Sequence, residues 1–394
     1  MSTKNGHITP PPYISHVRLK GYKSIIDTKV DLHPGLNIII GPNGSGKTNF
    51  LEFLTNSIIS KNPETGSNIR IEFLINNETN IWTLQDAKKT NINSISGEMI
   101  RNFKEKIYKK GQKNSSPEII KVSNLFSIKR SVNLYNILRQ VSPIALISYT
   151  LPKEVKGLDI PLSVSFNPSF GNRKRFSAVI NNDGPFKFVS KFLIDSFYKQ
   201  IPFEENFLSK GKIIKELTID NEVKRNLKKF SPIKDLRPRG GISIKGNGLY
   251  YQMDFVEFEF SVNGNWLNWQ MLSDGTKRLF YLISEITLTK GICFIEEPEI
   301  GVHPDQYRKI LTFLKESSED KQIIITTHAP RTLDILKDNE LNRIILTRFD
   351  KELGTKMRHL KKKEIKQAIQ YRENDGSTSE LWTYTGFFDE EEVI

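Results

Sequence analysis

Residues 36–49 read LNIIIGPNGSGKTN, and the rest of the chain can be interpreted outward from them. Leu36–Ile40 is a short apolar run rich in β-branched side chains, the pattern of a strand buried on both faces. Gly41 to Thr48 then match G-x-x-x-x-G-K-[ST] without a mismatch. Beyond the loop, Phe50, Leu51, Phe53, Leu54, Ser57 and Ile58 recur at helical spacing, so a helix is expected to begin inside it. Strand, loop and helix in this order form a phosphate cradle. Its glycines let successive N–H groups of Asn43, Gly44, Ser45 and Gly46 turn inward, and the helix N-terminus adds a positive dipole end. Lys47 is expected to reach the β- and γ-phosphates, and Thr48 to offer its hydroxyl to Mg²⁺. The stretch implies a nucleoside-triphosphate site.

Composition sets the frame around that loop. The chain has 394 residues, enough for an α/β core and a further lobe, and its 37% apolar and 26% charged residues describe an ordinary globular protein. No apolar run is long enough to span a bilayer, and the lead-in MSTKNGHITPPPY lacks an apolar signal core. With a single cysteine, Cys293, no internal disulfide can form, and a cytoplasmic protein without membrane contact is expected. Cys293 sits in mid-strand and reads as a small buried hydrophobe. The formal charge of +13 fits either attraction to nucleic acid or a basic composition spread over the surface. The two densest clusters are KEKIYKKGQK at 104–113 and KMRHLKKKEIK at 356–366.

Outward from the loop, residues 13–31 alternate and read as one or two strands, with Lys23-Ser24 near a turn. Residues 69–76 and 80–84 read as a strand pair, 97–110 as a basic helix, 144–150 as a buried strand and 186–198 as a helix. Residues 161–175 and 232–248 carry the glycines and prolines of connecting loops. No heptad pattern or internal repeat runs through this middle part, so a compact, partly helical inserted lobe is expected. Residues 250–269 alternate around an Asn263-Gly264 turn and read as a hairpin.

A second informative region follows. Ser273-Asp274-Gly275 opens an expected helix, a place for an ordinary N-cap or for a second phosphate contact. Residues 291–295 form an apolar strand ending in Glu296-Glu297-Pro298-Glu299, where carboxylates can hold Mg²⁺ and polarise a water. Another apolar strand, 323–325, ends in Thr326-Thr327-His328-Ala329-Pro330, so a histidine can reach a γ-phosphate.

The order of these motifs resembles the ATP-binding-cassette (ABC) ATPase heads of the SMC, RecF and OLD-nuclease group. GYKSI, LNIIIGPNGSGKTN, LSDGTKR, ICFIEEPEIGVHP and IIITTHAP all carry the likeness, over about a third of the chain. The resemblance implies an α/β P-loop NTPase, a mixed sheet flanked by helices. Residues 1–60 and 249–348 would form the head, 61–248 the inserted lobe and 349–394 a tail. It implies ATP and Mg²⁺ as cofactors, Glu297 as the catalytic glutamate and His328 as the switch residue at the γ-phosphate. Glu296 would hold the metal where the group usually has aspartate; the extra methylene moves the carboxylate by about 1 Å or more, so hydrolysis is expected to be slow. Ser273 and Gly275 would contact the ATP of an opposite subunit, giving a head-to-head dimer whose seam includes His303 and Pro304. The group's glutamine-bearing loop falls on Gln85, Gln140 or Gln200, without a choice among them.

Stand-alone heads of this kind resemble the ATPase subunits of bacterial anti-phage systems such as Septu and PARIS, which associate with a separate nuclease or toxin. The segment after the last expected core strand is too short for the Toprim nuclease domain of OLD proteins, and no metal-nuclease constellation is visible. A partner nuclease or toxin is therefore expected; a RecF-like clamp on DNA and a near-silent ATP-bound scaffold are the alternatives. The aromatic, then acidic, end at 381–392 is either a docking peptide or a segment folded back on its own head.

Overall fold

The computed structural model describes residues 13–59, 66–75, 78–92, 99–109, 118–123, 144–147, 162–167, 175–180, 221–238, 243–246, 251–254, 258–288 and 292–387. Strands β1 (Tyr13–Tyr22), β2 (Ile25–Asp31) and β3 (Leu36–Ile40) lead into helix α1 (Lys47–Ile59). There follow β4 (Asn68–Ile75), β5 (Glu78–Ile92), β6 (Met99–Lys109), β7 (Glu118–Ser123) and β8 (Ile144–Ile147). The middle of the chain supplies β9 (Leu162–Asn167), β10 (Arg175–Ile180), α2 (Asn221–Phe230), β11 (Ile233–Pro238), β12 (Ser243–Gly246) and β13 (Tyr251–Asp254). Then come β14 (Phe258–Val262), β15 (Asn265–Asn268), α3 (Asp274–Leu288), β16 (Ile292–Glu296) and α4 (Pro304–Ser317). The chain closes with β17 (Gln322–Thr327), β18 (Ile344–Asp350), β19 (Gly354–His359), α5 (Lys362–Glu373) and α6 (Thr378–Thr385).

The described residues divide into two compact units. The first draws on the segments Met1–Ser148, Thr289–Glu299 and Leu314–Ile394. Its main sheet has the order β19-β18-β3-β17-β16-β8, parallel throughout except for β19. All five residues of β3 and all six of β17 are buried, as the uninterrupted apolar runs require of parallel strands covered on both faces. A second, antiparallel sheet has the order β2-β1-β4-β5-β6-β7. Phe50, Leu51, Phe53 and Leu54 of α1 share one apolar cluster with Val17, Leu19 and Ile71 of this sheet and with Ile39, Phe294 and Ile324 of the parallel one. Tyr22 stacks on Phe53 with ring centroids 4.6 Å apart. Helix α1, the one that begins in the glycine loop, is thereby held by two sheets.

Gln322 ties the edge of this unit together. Its side-chain oxygen accepts from the Ile14 N–H at 2.9 Å, while its amide donates to the Ile14 and His33 carbonyls at 2.8 and 2.9 Å. The residue is buried. Gln322→Leu would strand one backbone donor and leave two carbonyls short of a partner. A loss of roughly 3 kcal/mol is expected, read as a lower urea midpoint at unchanged slope.

The second unit, Tyr149–Leu288 with Ile300–Phe313, contains a three-stranded antiparallel sheet in the order β11-β14-β15. The Asn263-Gly264 turn joins β14 to β15, and both residues have positive φ, 51° and 81°, as a tight hairpin demands. Phe260 of β14 meets Phe280 of α3 edge-on at 5.4 Å, and Phe230 of α2 packs on Phe313 at 5.1 Å.

Several readings of the middle segment are corrected. Residues 99–109 form strand β6, not a helix, pairing along β5 from Ile92↔Met99 to Asn80↔Lys109. Residues 162–167, 233–238 and 243–246 are strands rather than loops, each paired antiparallel with a neighbour. The expected helix at 186–198 lies outside the described residues, as do Gln140 and Gln200. The strands at 13–31, 69–75, 80–84 and 144–147 lie where the sequence reading placed them, while the expected 250–269 hairpin is divided: β14 and β15 form it, and β13 at 251–254 pairs instead with β12. Among the described residues no helix is long and apolar enough to cross a membrane.

The tail folds back on its own unit as far as it is described. Ser377 caps α6, the Ser379 N–H and hydroxyl both bond Asp334, and Phe387 is buried.

Candidate nucleotide site

In the first unit the parallel strands β3, β16 and β17 end at one edge of the sheet, because Ile295 lies opposite Ile325 and Thr327 opposite Ile40. Three segments with chemistry therefore meet there: the loop after β3, the acidic end of β16 and the histidine after β17.

The loop is packed from below. A Cβ on Gly41 would lie 2.1 Å from the Thr347 carbonyl oxygen, and one on Gly46 only 1.9 Å from the Thr355 hydroxyl. Gly46 also has φ of 96°, so both space and backbone require glycine. The Phe50 N–H bonds the Gly46 carbonyl at 2.9 Å, so the helical ladder already begins within the loop. Asn43, Gly44 and Thr48 are exposed, while Ser45 and Lys47 are buried. Lys47 is only 4% exposed, and its ammonium donates to the Gly41 and Pro42 carbonyls at 2.8 and 2.9 Å. Burial pushes its pKa down; the carboxylates of Glu297, Glu299 and Glu296 oppose that shift. Those three acids and Lys47 therefore share one electrostatic environment.

Glu296 is the last residue of β16, opposite Thr326. Glu297 follows with φ of 43°, a left-handed backbone uncommon for a side chain this large, held by its N–H to the Thr326 carbonyl at 2.9 Å. His328 lies at the end of β17, 3.7 Å from Glu297 through Nδ1.

Glu299, read from the sequence only as one of several strand-end carboxylates, takes a particular place in the structure. Its Oε1 accepts from the Thr327 hydroxyl at 2.6 Å and from the His328 N–H at 3.0 Å, and His328 Nδ1 lies 3.3 Å away. It thus holds the main chain at the histidine and sets a carboxylate beside its ring. No local motif signals this role, because it depends on β16 and β17 being neighbours. Glu299→Gln retains an acceptor oxygen but loses the charge facing His328. Turnover is expected to fall about 10-fold with KM for ATP nearly unchanged. Glu299→Ala, which also strands Thr327 and the His328 N–H, should lose about 1–3 kcal/mol of stability in addition, measured by urea unfolding.

Lys23, also at positive φ (47°), is paired with Glu52 at 2.6 Å, and Ser24 links the Thr355 hydroxyl at 2.7 Å to the Asn49 amide at 2.8 Å. Gln85 lies in β5 opposite Asn68 and Lys104.

In the second unit, Ser273 caps α3, accepting from the Thr276 N–H at 3.2 Å, and its side chain stands at the exposed helix start. Gly275 is required by close approach, since a Cβ there would lie 2.8 Å from the Gly301 carbonyl oxygen. Arg278 of the same helix bonds the Ile300 carbonyl at 2.5 Å. His303 is exposed, 3.8 Å from Asp305, and Pro304 begins α4.

The first unit fits a nucleotide with Mg²⁺ on its own observations. A glycine cradle that admits no Cβ at two positions surrounds a buried ammonium, and the Ser45 hydroxyl, the Thr326 hydroxyl and Glu299 Oε2 are buried without a partner. A strand-loop-helix cradle beside strand-end carboxylates and a strand-end histidine, on a parallel sheet abutting an antiparallel one, is the site of an α/β P-loop NTPase fold. The chain belongs to the family described as "AAA domain, putative AbiEii toxin, Type IV TA system", whose model matches residues 36–334.

Curated relatives include the DNA replication and repair protein RecF of Streptococcus agalactiae, 40% identical over 55 residues, covering 14% of this chain and 15% of that protein. The RecF protein of Clostridium kluyveri is 27% identical over 122 residues, 31% of each chain. The matches thus span well under half the length of these relatives. Among solved structures, an Smc head domain with an extended coiled coil, bound to the C-terminal domain of ScpA derived from Pyrococcus furiosus, aligns at TM-score 0.46 with 14% identity, covering 92% of this chain and 99% of that one. The SMC head domain from Thermotoga maritima aligns at TM-score 0.38 with 13% identity, covering 88% and 99%.

Proposed function

We propose that the chain is an ATP-hydrolysing switch that assembles head to head through ATP and controls a separately encoded nuclease or toxin in bacterial anti-phage defence. The single observation behind the ATPase part is the convergence of Lys47, Glu297 and the Glu299–His328 pair at one sheet edge. In this reading Lys47 leaves the Gly41 and Pro42 carbonyls for the β- and γ-phosphates. Thr48 and Glu296 would hold Mg²⁺, which would supply charge neutralisation at the phosphates. Glu297 orients and deprotonates the attacking water, and His328, positioned by Glu299, contacts the γ-phosphate. Ser273 and Gly275 offer a helix start to the nucleotide of a second copy. ATP then favours the closed pair because both copies contact its phosphates, and hydrolysis releases them.

The effector part draws on the likeness of the motifs to stand-alone ATPase heads of defence systems; the family description itself names a "putative AbiEii toxin, Type IV TA system". Its test is to express the tagged chain with its neighbouring genes and identify what co-purifies. A stoichiometric second protein with nuclease or toxin activity is expected; a chain recovered alone under every nucleotide condition would contradict it. A second reading, direct DNA binding in the manner of a repair clamp, draws on the RecF relatives and the +13 charge. Stimulation of ATP hydrolysis by DNA in the absence of any partner would favour that reading.

A further inference from the structure

Glu299, whose carboxylate holds the main chain at His328, is the last residue of its stretch of the first unit, and Ile300 opens the next stretch of the second. Inside the second unit, Ile300 and Gly301 are interlocked with the start of α3. The Arg278 guanidinium donates through Nη1 to the Ile300 carbonyl at 2.5 Å. It also covers Gly301, where a Cβ would stand 3.1, 3.3 and 3.5 Å from Nη1, Cζ and Nε. Gly301 has φ of 68°, so its backbone and the guanidinium above it both call for glycine. Gly275, at the start of α3, makes the same demand, because its Cβ would lie 2.8 Å from the Gly301 carbonyl oxygen.

Arg278 Nε is buried without a hydrogen-bond partner among the described residues. An unmet buried donor is unfavourable, so the arrangement favours contact with the turn over complete pairing of the arginine. A charged donor and two glycines are therefore spent on Ile300 and Gly301, which are exposed and carry no chemistry of their own. What these two residues do carry is position. Adjacent Cα atoms are about 3.8 Å apart across a planar peptide, so where Ile300 is held limits where the Glu299 side chain can stand. Glu299 in turn has narrow demands, accepting from the Thr327 hydroxyl at 2.6 Å and from the His328 N–H at 3.0 Å.

We propose that Arg278 is a positioning residue for the nucleotide site: by holding Ile300 and Gly301 to α3, it sets Glu299 against Thr327 and His328. The link runs through the main chain, so the guanidinium needs no contact with nucleotide. Its consequence for turnover rests on the proposed ATP hydrolysis; the placement of Glu299 does not.

The test is hydrogen exchange at the His328 amide in the full, nucleotide-free chain, because that N–H bonds Glu299 Oε1 directly. The buried amides of β17 serve as the reference for global opening. Arg278→Ala should speed exchange at His328 by at least about 10-fold relative to that reference. In a Glu299→Ala background, where the acceptor is already gone, Arg278→Ala should add less than about 2-fold. Arg278→Lys keeps a charged donor for the Ile300 carbonyl and should restore part of the protection. ATP turnover in Arg278→Ala should fall about 5-fold at a nearly unchanged KM. Unchanged exchange at His328, or an equal acceleration with and without the Glu299 carboxylate, would overturn the proposal. Unchanged turnover in a chain whose parent is active would overturn the role at the nucleotide site. A parent that hydrolyses no ATP would refute the hydrolysis reading instead, and the exchange comparison would still decide the placement. If Arg278→Ala does not fold, Arg278→Gln carries the same comparison.

Discussion

Glu297→Gln is expected to slow ATP turnover by at least about 100-fold while leaving ATP affinity within about 2-fold of the parent. The substitution keeps the side-chain size and preserves the Glu297 N–H bond to the Thr326 carbonyl, so the left-handed backbone at this residue has no reason to move. What it removes is a carboxylate able to take a proton from water. A general base contributes about 10²–10⁴ in rate, which sets the expected size. Glutamine also removes a negative charge near Lys47, which slightly disfavours the ammonium, but burial already dominates at that residue. Phosphate release under saturating ATP, together with equilibrium binding of ATP, separates the two effects. A fall in affinity equal to the fall in rate would mean that Glu297 serves the ground state.

Lys47→Ala has the opposite profile. Its ammonium is buried and already bonded to two loop carbonyls, so the chain pays for desolvating this charge in order to hold it at the cradle. Two charge-assisted bonds to phosphate, each worth about 1.5–3 kcal/mol, would be lost, so ATP affinity should fall by about 100-fold or more. Removing the buried charge relieves a desolvation cost and frees the Gly41 and Pro42 carbonyls, so unfolding should shift little. A variant that melts far below the parent would show instead that Lys47 holds the loop together.

Much of the catalytic edge was legible in the sequence because each piece is local. An apolar β-branched run announces its strand, and the residues that follow it lie at the strand end, which places Lys47, Glu297 and His328 at one edge; their individual roles came from the resemblance of the motifs. The role of Glu299 was not legible, although the residue itself was visible in Glu-Glu-Pro-Glu. Its partners Thr327 and His328 belong to another strand. The same holds for Gln322, whose three bonds reach back to Ile14 and His33, and for Thr355 beneath Gly46.

The misread elements share a different cause. In residues 99–109, Ile100, Phe103 and Ile107 fit a helical face, while Phe103 and Ile107 also share one face of a strand. Pairing with β5, which places Ile107 opposite Trp82, resolved the ambiguity. Residues 232–248 looked like a connection because of their glycines and prolines, yet Pro238 only ends β11 beside Phe258. Prolines at a strand's last residue do not break it.

The most direct test of the central claim, that ATP is held between two copies of this chain, is the native mass of the Glu297→Gln protein with Mg²⁺ and either ATP or ADP. The account predicts a doubled mass with two bound ATP molecules and a single-chain mass with ADP. A single-chain mass with ATP bound would contradict it.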